Sequence, residues 1–454
     1  MATSSQFGDI PFRLRVGVVG SVSDLNDELL HDEIVKLLDD HSQKLLRQAK
    51  HTKLELQFDP LFDDSLNTFD VLFVSNAAPE SANLLAAARQ QGRPIIRLTD
   101  SKPPELSVEA GHGLNAHLAR ALERFNAHPI AETVQQRDAN KVYDRFFNAD
   151  DGISTSIKNT IREQLLPYYV RAEQIAESNQ KLYRFAGLLV YSFSAAAVGA
   201  VAIGTLAHEL SVFAFGLELL LLIIILLTIW FANRKRAHKN WIQARYVAER
   251  IRTSVVLTAC GVDTSVIALP ANVGVTGKPE QWMVMAFNEI TRRLPPLSPC
   301  HGESVERYIA FVRHHWLANQ IEFHTQKAQK AKRMSHWLEQ AGIIVFAAAL
   351  VAAALHLTLS LLHAQLLEHP LTFAAIFLPA AGAALGGIRT HREYSRLAIR
   401  SSNMAESLKA LDQEIAAVST PSEVAAVLVK VEELTLLELQ DWLILMSQAK
   451  IEAA

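Results

Sequence analysis

Two long hydrophobic hairpins interrupt an otherwise mixed and charged sequence, at 186–232 and 341–388. Each hairpin contains two apolar segments separated by a short polar tip, and charged sequence flanks it on both sides. About 20 apolar residues in a helix cross the ~30 Å hydrocarbon core of a bilayer. The alternative is a set of buried core helices, but four such segments would be unusual in one soluble domain. We therefore predict four transmembrane helices, at 186–207, 212–232, 341–362 and 371–388.

The distribution of Lys and Arg predicts the orientation of these spans. The hairpin tips, 208–211 and 363–370, contain neither residue, whereas basic residues follow the second and fourth spans and precede the third. Short loops without Lys or Arg lie outside. We therefore expect a multi-pass protein of the cell inner membrane, with a cytoplasmic N-terminus, central segment and C-terminus.

Composition narrows the classes of partner. The 44 basic and 47 acidic residues nearly balance, which gives no basis for DNA or RNA binding, because that requires a concentrated basic face. Cys260 and Cys300 are the cysteines of the sequence and fall in the predicted cytoplasmic centre, so we expect no disulfide framework. The first residues, 1–12, are polar, so we expect the first span rather than a cleaved signal peptide to target the chain.

The region before the first hairpin alternates strand and helix patterns. Apolar runs predict strands at 14–20, 54–58, 70–75 and 94–98. Helical spacing of apolar residues predicts helices at 27–49, 80–91 and 113–125. Strands that alternate with helices indicate an α/β domain with a parallel sheet, at 1–129, and ligands of such sheets bind beyond the carboxyl ends of the strands.

Small and polar residues follow two of the predicted strands. The set at the first strand-to-helix turn is Gly17, Gly20, Ser21, Ser23 and Asp24, and the set after the third strand is Ser75, Asn76 and Glu80. Backbone N–H groups and a helix N-terminus at such a turn can receive a phosphate. The alternative in both places is an ordinary tight turn with a helix cap, since the glycine spacing departs from G-x-G-x-x-G.

Three segments of this region resemble the SLOG family of Rossmann-like domains. They are LRVGVVGSVSD at 14–24, FDVLFVS at 69–75 and GRPIIRL at 92–98. The resemblance implies a Rossmann-like fold and the sensing or processing of nucleotide-derived signals in bacterial defence. An acidic residue is frequent in that superfamily at the position of Leu84, which implies a non-catalytic sensor here, and we predict no catalytic residue.

The charged flanks of the hairpins contain an internal repeat. Ala-x-Gln-Ile precedes the first span at 172–175 and the third at 318–321, and Ala-Glu follows the second span at 248–249 and the fourth at 405–406. We predict one helix–hairpin–helix unit duplicated in parallel, within an all-α four-span domain with long cytoplasmic helices. The first copy, a cytoplasmic insert rich in Pro and Gly, and the second copy occupy 149–260, 261–303 and 304–454.

The repeated flanks resemble the SLATT family of two-span domains, which occur beside SLOG domains and second-messenger synthases. The terminal helix at 423–446, with Glu438 and Trp442, also resembles that family's C-terminal helix. The resemblance implies an effector that perturbs membranes.

Five residues within the spans are candidates for function or packing. Glu218 in the second span would line a pore or bind a cation, or else it snorkels to the interface, and His356 near the outer end of the third span has the same alternatives. Gly382 and Gly386 form a G-x-x-x-G in the fourth span, and with Pro379 they suit helix packing or homo-oligomerisation.

No metal site is predicted, because His314 and His315 have no Cys, Asp or further His at ligand spacing. Three functions remain open. The first is an antiphage effector whose cytoplasmic domain senses a nucleotide-derived signal and gates a four-span pore or membrane-disrupting unit. The others are a membrane-anchored nucleotide- or NAD-processing enzyme and a non-conducting scaffold. The expected partners are the lipid bilayer, a nucleotide second messenger or NAD-derived ligand, and further copies of the chain, with no cofactor.

Overall fold

The computed structural model describes most of the helical part of the chain and the strands before it. The described residues are 9–19, 54–60, 71–74, 85, 86, 88, 95–98, 106–109, 116–147, 151–262, 281–292, 294, 295, 304–363 and 367–448. The chain divides into two compact units. The first comprises 1–139, 163–171 and 280–295, and the second comprises 140–162, 172–279 and 296–454.

The first unit contains a five-stranded sheet in the order β2-β1-β3-β4-β5. Its strands are β1 (Phe12–Val19), β2 (Leu54–Pro60), β3 (Val71–Val74), β4 (Ile95–Leu98) and β5 (Leu106–Glu109). The first three pairings are parallel, with Val16 opposite both Phe58 and Val71, and β4 pairs with β5 in antiparallel orientation. The four predicted strands coincide with β1 to β4, and β5 was not predicted.

Apolar side chains of the central strands form the core of this sheet. Val16, Val18, Leu72, Phe73 and Ile95 are all buried. Consecutive buried residues such as Leu72 and Phe73 point to opposite faces of a strand, so the sheet is covered on both sides. The helices predicted at 27–49 and 80–91 carry most of their residues outside the described ranges, so a Rossmann-like arrangement remains a prediction.

The described helices follow the sheet in chain order. They are α1 (Ala116–Asn126), α2 (Glu132–Phe146), α3 (Thr155–Gln164), α4 (Leu166–Leu206), α5 (Ser211–Arg234), α6 (Ala237–Ala259), α7 (Gln281–Thr291), α8 (Val305–Phe311), α9 (Ala318–Leu361), α10 (Glu368–His391), α11 (Tyr394–Ala416) and α12 (Pro421–Gln448). A short 3₁₀ turn at His208–Leu210 precedes α5, and a π-helical turn at Val312–Leu317 joins α8 to α9.

A buried arginine forms hydrogen bonds and an ion pair in the interior of the first unit. Arg171, on the first turns of α4, is fully buried and donates hydrogen bonds to the carbonyl oxygens of Phe125 and Asn126 at the end of α1. Its guanidinium also pairs with the Asp9 carboxylate at 3.0 Å. A cation at a helix C-terminus stabilises the unsatisfied carbonyl groups there, so this side chain holds the first turns of α4 against α1.

Among the described residues, four long helices carry apolar stretches that belong to the second unit. Stretches apolar enough to span a membrane occur within Leu166–Leu206, His208–Ala259, Val305–Leu361 and Glu368–Ala416, which confirms the four predicted spans. Many large apolar side chains on them are exposed, among them Leu226 at 64% and Leu350 at 67%. Exposure of an apolar surface of this extent to water is unfavourable, whereas the hydrocarbon core of a bilayer accommodates it. These helices identify a multi-pass membrane protein.

The helices after each hairpin tip recur with a constant offset. Both α5 and α10 contain 24 residues, both α6 and α11 contain 23, and each later helix begins 157 residues after its counterpart. The residue before α6, Arg236, has a φ of 50°, and Glu393 before α11 has a φ of 53°. The same left-handed junction therefore follows the second and the fourth span.

Helix α6 forms much of the core of the second unit. Val247, Ile251 and Val255 on it are fully buried, and it packs against α12, where Leu428 and Val431 are also fully buried. This part of the unit is a conventional helix bundle with apolar faces turned inward.

The first and fourth spans approach closely at glycines. A Cβ at Gly187 on α4 would overlap the ring of His391 on α10, and a Cβ at Gly387 on α10 would overlap the ring of Tyr191 on α4. Further along α4, a Cβ at Gly199 would lie 3.1 Å from the ring of Phe377. Each glycine thus makes room for an aromatic ring of the other span.

Candidate functional site

The predicted phosphate turns fall largely outside the described residues. Gly17 is buried within β1, two residues before the end of that strand. The other members lie outside the described ranges: Gly20, Ser21, Ser23, Asp24, Ser75, Asn76 and Glu80. Their role remains a prediction.

The two ionisable residues predicted within the spans lie in different hairpins. Glu218 is half-buried on α5 and forms no ion pair with a described residue. His356 on α9 lies with its Nδ1 3.5 Å from the Thr372 hydroxyl on α10, within its own hairpin. The structure therefore does not bring the two together through a contact.

The fourth-span glycines differ in their surroundings. A Cβ at Gly382 would lie 3.8 Å from Val345 of the same hairpin, and a Cβ at Gly386 would meet nothing within 4 Å. The close approach to another span occurs instead at Gly387, one residue later. Pro379 lies inside α10, which continues through it.

A cavity of about 590 Å³ lies in the second unit, beside the charged ends of the spans. Helices α4, α6, α9, α11 and α12 all contribute to its walls. Among the described residues, seven basic side chains line it: Arg184, Arg245, Lys327, Lys330, Arg392, Arg396 and Arg400. Two carboxylates of the described residues line it as well, those of Glu173 and Glu393. The walls therefore carry an excess of positive charge.

Three of the seven cations are matched by carboxylates. Both oxygens of Glu173 accept hydrogen bonds from Arg245, at 2.7 and 2.8 Å. Arg400 pairs with Glu438 at 2.7 Å, and Arg396 pairs with Glu393 at 3.3 Å. These pairs fix the side-chain positions of the arginines, because bidentate and charge-assisted contacts are geometrically specific.

The other four cations form no ion pair with a described residue. The Lys327 ammonium lies 5.1 Å from the centre of the Phe323 ring, and the Arg184 guanidinium lies 5.9 Å from that of Trp241. Arg392 donates a hydrogen bond to the backbone carbonyl of Arg184 at 3.3 Å. Ring faces and a carbonyl dipole compensate positive charge less fully than a carboxylate does.

Burial is the largest cause of the lowered pKa values of these groups, and neighbouring positive charge adds to it. Burial, reinforced by nearby Arg245, lowers the pKa of Lys327 to about 8. Burial and then the neighbouring charge of Arg392 lower the pKa of Arg184. Burial also lowers the pKa of His391 to about 4, so its imidazole is neutral at pH 7. Desolvation and like charges both disfavour a protonated base.

Aromatic rings form one side of the cavity. The Tyr183 ring lies 4.6 Å from that of His391 and 5.7 Å from that of Trp241, and Trp241 meets Trp442 edge-on at 5.8 Å. These residues come from α4, α6, α10 and α12. The cavity can thus offer cations and apolar ring surfaces to the same ligand.

Sequence reasoning did not find this cavity. Lys327 and Lys330 belong to the charged run at 319–332, which is typical of a solvated face or, near a membrane, of residues that hold anionic lipid headgroups. The available signal was the spacing of four between Arg396 and Arg400 after the fourth span, which places them on one helical face.

Residues 314–442 match the family described as SMODS and SLOG-associating 2TM effector domain 1 (SLATT_1). The match covers α9, α10, α11 and much of α12, and it confirms the resemblance to SLATT for the second predicted copy. No curated protein and no solved structure matches the chain. The first copy and the SLOG-like region remain predictions.

Proposed function

We propose that this protein is a membrane effector of a bacterial conflict system that permeabilises the membrane in response to a nucleotide-derived signal. One observation carries the proposal: four apolar helices expose large side chains to lipid, and one of the two hairpins belongs to the segment that matches a two-span effector family. A simple anchor requires one span. Two hairpins packed through reciprocal glycines are better suited to a change in helix packing.

Continuous helices support a gating role. Helix α9 runs without a break from Ala318 to Leu361 and therefore joins Lys327 at the cavity to the third span. Helix α4 likewise joins Glu173 to the first span. A shift at the charged end of such a helix is transmitted along its length, because the hydrogen-bonded backbone is stiff. We propose that Glu218 lines the path that opens.

We propose that the N-terminal sheet receives the signal. The parallel neighbours of β1 are β2 on one side and β3 on the other, so the strand order changes direction at β1. Ligands of open α/β sheets bind beyond the carboxyl ends of the strands at such a point. Gly20, Ser21 and Ser75 follow those ends in sequence. We also propose a cytoplasmic location for this unit, assembly of several copies and a role in antiphage defence.

The first test is membrane potential in bacteria that express the full chain, followed with a voltage-sensitive dye during phage challenge. Gly387→Ala inserts a methyl group into the space of the Tyr191 ring, and we expect it to abolish depolarisation. Gly386→Ala is the matched control, because it makes the same change where nothing lies within 4 Å. We expect this control to depolarise like the unchanged protein.

Unchanged potential in cells that insert the unsubstituted chain normally would contradict the proposal. The membrane-anchored nucleotide- or NAD-processing enzyme would then become the leading function. Equal activity of Gly387→Ala and Gly386→Ala would show that packing of the first span against the fourth has no part in permeabilisation.

A further inference from the structure

We propose that the cavity between α4, α6, α9, α11 and α12 binds an anion that carries a phosphate ester. This goes beyond the proposed function, which places the signal at the N-terminal sheet, because it assigns a second ligand site within the membrane unit. The inference rests on the charge of the walls, on their geometry and on the size of the space.

Four cations of the cavity walls are not balanced by a carboxylate among the described residues. Lys327, Lys330, Arg184 and Arg392 form no ion pair with a residue that the structure describes. Lys327 and Arg184 are partly desolvated, which makes their positive charges costly, and Arg184 and Arg392 are adjacent enough for a backbone contact. A bound anion offsets this cost, whereas a neutral ligand does not.

The geometry suits a phosphate group. Lys327 and Lys330 are three residues apart on α9, and Arg396 and Arg400 are four apart on α11, so each pair occupies one helical face. The two faces line the same cavity. Arginine contacts phosphate oxygens in a bidentate manner, and lysine adds a point charge.

The dimensions indicate a small organic ligand rather than a bare ion. A volume of about 590 Å³ falls within the roughly 300–1,000 Å³ typical of small-molecule sites. Tyr183, Trp241 and Trp442 supply apolar ring surface at one side. The organic part of a phosphate ester would lie against these rings while its phosphate contacts the lysines and arginines.

Two sources provide this chemistry. A nucleotide has a phosphate and a planar base that packs against aromatic rings. An anionic phospholipid has a phosphate diester, and the cavity lies beside the span ends, where basic pockets hold lipid headgroups. The experiment must therefore offer both.

The test uses the full chain in nanodiscs and measures binding by the change in tryptophan fluorescence. The probes are inorganic phosphate, ATP, and phosphatidylglycerol introduced into phosphatidylcholine nanodiscs. We expect saturable binding of ATP or phosphatidylglycerol, weakened about tenfold or more by the double substitution Lys327→Gln with Lys330→Gln, since charge-assisted contacts are the strong ones. Response to ATP identifies the nucleotide source, and response to phosphatidylglycerol alone identifies the lipid source.

The matched control is Lys332→Gln with Arg333→Gln. These residues lie on the same helix, are exposed and do not line the cavity, so the change in net charge is the same. We expect affinity within about twofold of the unchanged protein. A second variant, Arg392→Gln, removes a cation from the opposite wall and should also weaken binding, and thermal unfolding of each variant reports whether it is folded.

The inference would be overturned if neither ATP nor phosphatidylglycerol bound more tightly than inorganic phosphate. It would also be overturned if the cavity variant and its control lost affinity equally. Binding is measured on purified protein and does not depend on permeabilisation. A protein that binds ATP in this way but never depolarises a cell would refute the proposed function and leave this site standing.

Discussion

At the scale of single residues, the environment of Lys327 is the clearest departure from an ordinary charged surface. The side chain is half-buried, lies over Phe323 and has Arg245 and Arg252 of α6 nearby. Glu249 of α6 and Glu438 of α12 oppose their effect, but the pKa remains lowered to about 8. Burial is the largest cause of this low pKa, and the neighbouring charges are secondary to it.

The lowered pKa of Lys327 predicts a pH dependence for anion binding. An anion favours the protonated amine and so raises its pKa above about 8 in the complex. Above about pH 7.5, where the phosphates of ATP are already fully ionised, the affinity for ATP should fall as the pH rises through the free-protein pKa of about 8, because free protein then has to take up a proton. Titrations between pH 6.5 and about 9.5 test this, and Lys327→Gln should remove the step. A step that persists in this variant would assign it to another group.

At the scale of elements, the junction between span and bundle helix is the feature that recurs most exactly in the two halves. Arg236 and Glu393 both adopt left-handed backbone conformations, which carry a cost for residues with a Cβ. The conformation turns the chain between α5 and α6 and between α10 and α11. This shared turn supports the proposed duplication more strongly than the short tetrapeptides do.

Substitution of Arg236 tests the conformational cost of this turn. Arg236→Gly should raise the free energy of unfolding by about 1 kcal/mol, because glycine adopts positive φ without strain. Arg236→Val should lower it by a similar amount or more, since a β-branched residue is least tolerant of this conformation. Thermal or denaturant unfolding in detergent is the measurement. Lys235→Gly is the control. Lys235 has an ordinary φ of −73°, so glycine at this position should lower the free energy of unfolding.

At the scale of the whole molecule, the four spans differ in how much of their surface other parts of the chain cover. In the apolar window of the first span 44% of residues are buried, against none in that of the fourth. Lipid or further copies of the chain must cover the remainder, since bare apolar surface of this size is unfavourable in water. The large apolar side chains that lipid or another copy must cover are concentrated on the second and third spans, for example Val212 at 86% exposure and Phe346 at 65%.

The orientation of the spans can be tested with single cysteines and a membrane-impermeant maleimide. Glu209→Cys and Glu368→Cys place thiols at the hairpin tips and should react in intact cells, because loops without Lys or Arg lie outside. Glu322→Cys, exposed on α9 before the third span, should react only after permeabilisation. The unsubstituted chain gives the background from the native thiols. Labelling of Glu322→Cys in intact cells would reverse the predicted topology.

The sequence by itself determined the spans and the strands β1 to β4. These features depend on local hydrophobicity and its period, which do not require knowledge of distant contacts. Strand β5 was not predicted, because its residues, Leu106–Glu109, form no continuous apolar run.

Only the tertiary structure decided which residues meet. Gly386 and Gly387 are neighbours in sequence, but one residue rotates a helix position by about 100°, so only Gly387 faces Tyr191. The cavity likewise joins Arg184 to Arg392 across 208 residues of chain. Charges near span ends look alike in sequence, and the packing of six helices brings some of them to one cavity.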